Sequence, residues 1–203
     1  MEAIAVIDFE TTGLSPSQGC RATEIAAVIW QDGRIVERYQ SLMNPGVAIP
    51  PFITQLTGIS NAMVRAAPAA EHVMREVAEF VATRPLLAHN ASFDQKFWRA
   101  ELARIALPNE QPFACSMLLA RRLLPEAANH KLGFLTQWAG LPNTGKAHRA
   151  MADAEMAANL LGYLHQLLIE RHGIQADHAL LARLARVPNA RLKDTLHSLR
   201  TPA

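Results

Sequence analysis

Three strand-like runs precede any helix-like one in this chain, and that order restricts the fold more than any other feature. Ala3–Ile7 is short, apolar and partly β-branched, which suits a buried strand. Ala22–Trp30 (ATEIAAVIW) and Ile35–Leu42 (IVERYQSL) follow, joined by Gln31-Asp32-Gly33-Arg34, whose Asp-Gly step favours a tight hairpin. An antiparallel meander is expected. Asn44-Pro45-Gly46 through Pro50-Pro51 breaks the chain, and Phe52–Leu56 before Thr57-Gly58 predicts a single helical turn closed by glycine. Val73, Val77, Phe80 and Val81 recur at helical spacing within Ala69–Val81, and Pro85–Ala88 reads as a short buried strand. Ala91–Ile105, Ser116–Leu124, Leu132–Ala139 and Ala150–Arg171 have helical periods, punctuated by Pro108, Pro112, Pro125 and Pro142. Strands first, then helices alternating with short strands, predict an α/β sandwich on a mixed sheet.

With 203 residues the chain holds one well-filled domain and an appendage. Its apolar runs are short, none near the roughly 18 residues that span a bilayer, and the N-terminus lacks a signal-peptide layout. A soluble, cytoplasmic protein with no membrane partner is expected. The two cysteines, Cys20 and Cys115, have no CxxC or zinc-spaced histidine partner and read as free thiols. Net charge is only +2, but residues 175–203 carry five basic against two acidic side chains, so the excess lies in the tail. The chain therefore divides into residues 1–174 and a basic helical appendage, residues 175–203. Asp177–Ala185 and Ala190–Leu199, broken at Pro188, predict two short helices with apolar stripes of Leu180, Leu181 and Leu184, and of Leu192, Leu196 and Leu199. Helices shorter than roughly 12 residues do not stand alone, so these must pack on something. They can fold back on the domain. Alternatively they dock a second copy or a partner, with Arg183, Arg186, Arg191, Lys193 and Arg200 free to meet phosphates.

Three stretches carry candidate chemistry. In VIDFETTGL, Val6–Leu14, two carboxylates follow a run suited to burial. If the strand continues, Asp8 and Glu10 point the same way with Cα atoms roughly 7 Å apart. Two such charges persist near a core only if a cation, a shared proton or water offsets them, and a metal ion does so most strongly. If the strand ends at Ile7, both are solvated in the turn that Thr12-Gly13 and Ser15-Pro16 announce. In LLAHNASFDQKF, Leu86–Phe97, a strand gives way to His89-Asn90 and a helix bearing Asp94; Asn90 or Ser92 can cap that helix, and Asp94 suits its dipole. In KAHRAMADAEMA, Lys146–Ala157, His148 and Asp153 lie five residues apart, about 140° around a regular helix, so they share no helical face. With His148 in the loop after Thr144-Gly145 and Asp153 in the first helical turns, both can border one site. Small Ala150, Ala152 and Ala154 would let that helix lie close to the sheet.

DFETTG after a first strand, HNASFD after a later one and HRAMAD opening a late helix together resemble the DEDDh family of 3′–5′ exonucleases, the group like the proofreading subunit of the bacterial replicative polymerase. The resemblance covers about residues 3–170, and LTGIS (Leu56–Ser60), SMLLARRLLP (Ser116–Pro125) and HKLGFL (His130–Leu135) also look like family segments. Ala114-Cys115-Ser116 departs from the Asp-Thr that many relatives carry, at no ligand position.

The resemblance implies a ribonuclease-H-like mixed sheet with an antiparallel meander flanked by helices. It implies two Mg²⁺ or Mn²⁺ ions held by Asp8, Glu10, Asp94 and Asp153, with His148 as general base. The backbone around Thr11, Thr12, Gly13 and Leu14 would hold a terminal 3′-OH. Leu14 and Leu56 would wedge against the last base, and His89, Asn90 and Phe93 would line the nucleotide site. The expected activity is sequence-tolerant trimming of single-stranded or frayed DNA from the 3′ end to nucleoside 5′-monophosphates. RNA trimming, or a proofreading or binding subunit active only in a complex, remains open, as does a homodimer or a polymerase or repair partner reached through the C-terminal helices. A Rossmann-type nucleotide binder fails for want of GxGxxG after the first strand.

Overall fold

The computed structural model describes residues 2–143, 145 and 148–199; Thr144, Lys146, Ala147 and Arg200, read above, lie outside it. In chain order the elements are β1 (Ile4–Thr11), β2 (Ala22–Gln31), β3 (Arg34–Leu42), α1 (Pro51–Thr57), α2 (Asn61–Ala66), α3 (Ala70–Val81), β4 (Leu86–Ala88), α4 (Ser92–Arg104), β5 (Phe113–Cys115), α5 (Ser116–Leu123), α6 (Leu132–Trp138), α7 (Ala150–His172), α8 (His178–Arg186) and α9 (Asn189–Ser198), with a 3-10 turn at Pro16–Gln18. The sheet runs β3-β2-β1-β4-β5: β1, β2 and β3 form the antiparallel meander, and β4 and β5 join parallel to β1. This is the ribonuclease-H-like mixed sheet expected of the sequence.

The hairpin turns through Asp32 (φ 49°) and Gly33 (φ 84°), both left-handed as a two-residue loop between right-twisted strands requires. Alternation along β1 and β2 then feeds two cores. Ile4, Val6, Ala26, Val28 and Trp30 face α5 and α7, whereas Ala5, Ile7, Phe9, Ile25, Ala27 and Ile29 face α3 and α4. Helices on both faces explain why β2 is buried from Ala22 to Trp30 without alternation. β3, at the edge, stays largely exposed and carries Arg34, Glu37 and Arg38, which discourage further strand pairing.

Several expectations need correction. α1 is seven residues long rather than one turn, and it ends as expected on left-handed Gly58. α2, capped by the Ser60 hydroxyl, and β5 escaped the sequence reading. Each is too short for a period to show. Neither Asn90 nor Ser92 caps α4: the chain enters through left-handed Asn90 (φ 66°), and helical Ala91 stands at the cap with no side-chain cap bond. The tail helices fold back on the body. Leu181, Leu184, Ala185 and Leu196 are buried in the α5–α7 core, and His178 donates from Nε2 to the Leu86 carbonyl at 2.8 Å.

Candidate active site

β1 does not stop at Ile7, so Asp8 and Glu10 are strand residues on the α7 side, at the end of the strand where β4 also terminates. Here a cleft of about 230 Å³ opens, lined by Asp8, Phe9, Glu10, Thr11, Gly13, Leu14, Ile53, Leu56, Thr57, His89, Asn90, Phe93, Asp94, His148 and Asp153. Each layer of the sandwich contributes. Asp94 comes from the first turn of α4, buried, and its Oδ1 accepts the Phe9 N–H at 3.1 Å, tying α4 to β1 between the two acidic strand positions. Asp153 comes from the first turn of α7, and His148 from the loop before it; Asp153 Oδ2 accepts the His148 N–H at 3.1 Å. Oxygen and nitrogen ligand atoms of Glu10, His148 and Asp153 lie within 4.8 Å of one another.

The electrostatics of the cluster are those of a site built around a cation. Burial raises the Asp8 carboxyl well above its ordinary range, and repulsion from Asp94, Asp153 and Glu10 adds to it. Burial and the charges of Asp153, Glu24 and Asp94 push Glu10 to about 8, against the opposing pull of Arg149. Asp94 is raised by burial although the Phe9 N–H works the other way, and Asp153 is raised by burial against the His148 N–H. Four acids brought together at such cost suit a hard divalent cation with oxygen ligands, which removes the repulsion.

The walls differ in character. Leu14, in the turn after β1, and Leu56, on α1, stand 77% and 48% exposed, an apolar rim on a cleft that holds the acidic cluster. Phe93 lies against Phe97, ring centres 5.0 Å apart. His89 borders the cleft, but both its ring nitrogens are engaged: Nε2 donates to the His130 carbonyl at 2.9 Å, and the Ser116 hydroxyl meets Nδ1 at 3.0 Å. Burial lowers it to about 4, so it is a neutral wall with no free hydrogen-bonding nitrogen for a ligand. Thr11 bonds the Gly13 carbonyl at 2.7 Å, shaping the turn into Leu14. Thr12, expected in the site, does not line the cleft; it is buried and pairs with Arg21, its N–H donating to the Arg21 carbonyl and its hydroxyl accepting the Arg21 N–H. Ile53 and Thr57, also in the lining, escaped the sequence reading, although Thr57 follows Leu56 in the LTGIS segment and Ile53 lies three residues before Leu56 on α1.

Comparison with known proteins agrees with this geometry. The family model described as an exonuclease matches residues 5–161. A PolC-type DNA polymerase III of Oceanobacillus iheyensis is 38% identical over 171 residues, which is 84% of this chain and 12% of the relative. The 3′-5′ exonuclease DinG of Bacillus subtilis is 35% identical over 98% of this chain and 21% of its own length. The chain thus spans a small part of these relatives. Exonuclease X, solved in complex with 5′-overhanging duplex DNA, superposes with a TM-score of 0.71 at 29% identity, covering 90% of this chain and 99% of that one. On sequence and fold, the chain belongs to the exonuclease family.

Proposed function

We propose that the protein hydrolyses DNA from the 3′ end, on single-stranded or frayed termini, releasing nucleoside 5′-monophosphates. The observation that carries this reading is the meeting of Asp8, Glu10, Asp94, Asp153 and His148 in one cleft under the exposed rim of Leu14 and Leu56. Asp8, Glu10, Asp94 and Asp153 would hold two Mg²⁺ or Mn²⁺ ions. Bound there, such ions would activate water and stabilise the leaving oxygen of an in-line displacement, with four carboxylates and two dications neutral in sum. His148 takes the proton from the attacking water. Its backbone bond to Asp153 fixes where its ring starts from. Leu14 and Leu56 hold the terminal base by apolar contact, and Phe93 adds an aromatic ring to the lining; none of these reads base identity. Asn90, exposed and left-handed, adds an amide to the lining that can meet sugar or phosphate.

DNA is favoured because the similar proteins include a DNA polymerase and a nuclease solved on duplex DNA. Two free thiols, Cys20 and Cys115, fit a reducing cytoplasm. Digestion of 5′-labelled DNA and RNA oligomers, single- and double-stranded, with Mg²⁺, Mn²⁺ or chelator tests the reading. DNA should shorten stepwise from its 3′ end, and chelator should stop it. Internal cuts, or loss of the 5′ label as a mononucleotide, would overturn it.

A further inference from the structure

We propose that Glu24 and Arg149 form a positioning clamp that sets His148 in place; its catalytic consequence rests on the exonuclease reading above. Glu24 stands on β2 directly opposite Glu10, so the two side chains share a face of the sheet, and it is 1% exposed. A lone acid within ATEIAAVIW carries the same signal that marks Asp8 and Glu10, a charge in a buried strand. Its carboxylate accepts four bonds: from Arg149 Nη2 at 2.8 Å and Nε at 3.2 Å, from the Ala150 N–H at 3.2 Å, and from Gln40 Nε2 at 2.8 Å.

The Ala150 bond is the informative one. Ala150 opens α7, and the residue at its cap, Arg149, gives the helix no side-chain cap. A strand residue distant in sequence therefore fills the role that serine or aspartate ordinarily fills at a helix start. His148 lies between two anchors. Its own N–H is held by Asp153, and the next two residues are held by Glu24. At φ 63° it occupies a backbone region that a non-glycine residue keeps only when its surroundings impose it. The forked Arg149–Glu24 pair supplies that constraint with directional bonds, which a lysine or a simple cap would not. Arg149 also places a positive charge that acts on Glu10. Glu10 and Glu24 thus stand side by side across β1 and β2, and the Arg149 guanidinium ties Glu24 to the start of the helix that carries Asp153.

The test measures amide hydrogen exchange across residues 148–153 and kcat on a labelled DNA oligomer, for wild type, Glu24→Gln, Arg149→Met and Arg149→Lys, each also combined with His148→Ala. Exchange should quicken about tenfold or more in Glu24→Gln and Arg149→Met, less in Arg149→Lys, and kcat should fall about 10–100-fold, as for residues that orient a site from behind. On the His148→Ala background the same substitutions should lower kcat by less than about threefold, because they act through a group already removed. Unchanged exchange at residues 148–153, or losses that multiply in full with His148→Ala, would overturn the clamp. Should Glu24→Gln fail to fold, Arg149→Met carries the same measurement, since that side chain is 37% exposed. If the wild type shows no 3′-end digestion, the functional reading fails, and the exchange data, which need no substrate, still decide the clamp.

Discussion

Asp8, Glu10, Asp94 and Asp153 each hold a proton more tightly in the folded chain than in an unfolded one, burial being the first cause in every case. A carboxyl raised on folding stabilises the fold below its unfolded value, near 4, and that contribution is lost as pH rises through the folded value, about 8 for Glu10. Chelator-treated protein should therefore lose thermal stability steadily between about pH 5 and pH 9, and Glu10→Gln or Asp94→Asn should flatten that decline in scanning calorimetry. Added Mn²⁺ should raise Tm more at pH 8.5 than at pH 5.5, since only the ionised cluster binds it. His89 has the opposite sign: lowered to about 4, it favours the fold above its unfolded value near 6.5, and this is lost as pH falls through 4. For turnover, Asp8→Asn, Glu10→Gln, Asp94→Asn and Asp153→Asn should each abolish most activity while leaving the fold intact. Near-wild-type rates in any two would remove the metal assignment. If His148 is the proton acceptor proposed above, His148→Ala should lower kcat about 10²–10⁴-fold with little change in KM, since the apolar rim is left intact; a loss confined to KM would make it a binding residue.

Among the elements, the segment after β1 shows how closely local sequence and tertiary contact are joined. Gly13 has no room for a side chain, since a Cβ there would lie 2.7 Å from Cys20 Sγ. Gly13→Ala should cost about 1–3 kcal/mol in urea unfolding and disturb Leu14 beside it, whereas Gly13→Ala with Cys20→Ala should recover most of the loss. No recovery in the pair would mean that the backbone, and not the thiol, resists. The base of the same segment is held by Arg21, which forks onto buried Glu101 of α4 at 2.8 Å and reaches the Pro45 carbonyl. Long elements were legible because a period repeats along them. The Asp-Gly hairpin and the stripes of α3 and α7 stand as expected, to within a residue or two, whereas β1 runs four residues past the apolar stretch that announced it. β5 and α2 were not, because three or six residues hold too little of any period.

At the scale of the whole molecule, the tail is part of the same core as the sheet. Leu181 and Leu184 are fully buried, His178 occupies the Leu86 carbonyl, and the Glu2 carboxylate accepts the His178 N–H at 3.2 Å. Removing residues 175–203 would bare the apolar faces of α5 and α7, so the truncate should express poorly or melt well below the full chain. Leu181→Ala should cost about 2–5 kcal/mol in equilibrium unfolding. A soluble truncate with an unchanged Tm would refute this role for the tail. Arg183, Arg186, Arg191 and Lys193 remain exposed around that packed face. The sequence by itself determined which residues share a strand face, where the hairpin turns and which helices have an apolar side, because side-chain direction follows from a local period of two or 3.6 residues. It also singled out Asp8 and Glu10, because charge after a buried run is visible without a partner, whereas Asp94, His148 and Asp153 came forward only through the resemblance of the three motifs taken together. Only the tertiary structure decided that Asp94 from one layer and Asp153 from the other meet at the end of β1, that Thr12 turns inward to Arg21, that His89 spends both nitrogens on the scaffold and that Glu24 caps a helix far along the chain. Each of those is a contact between distant segments, set by how the layers pack, and no local period encodes it.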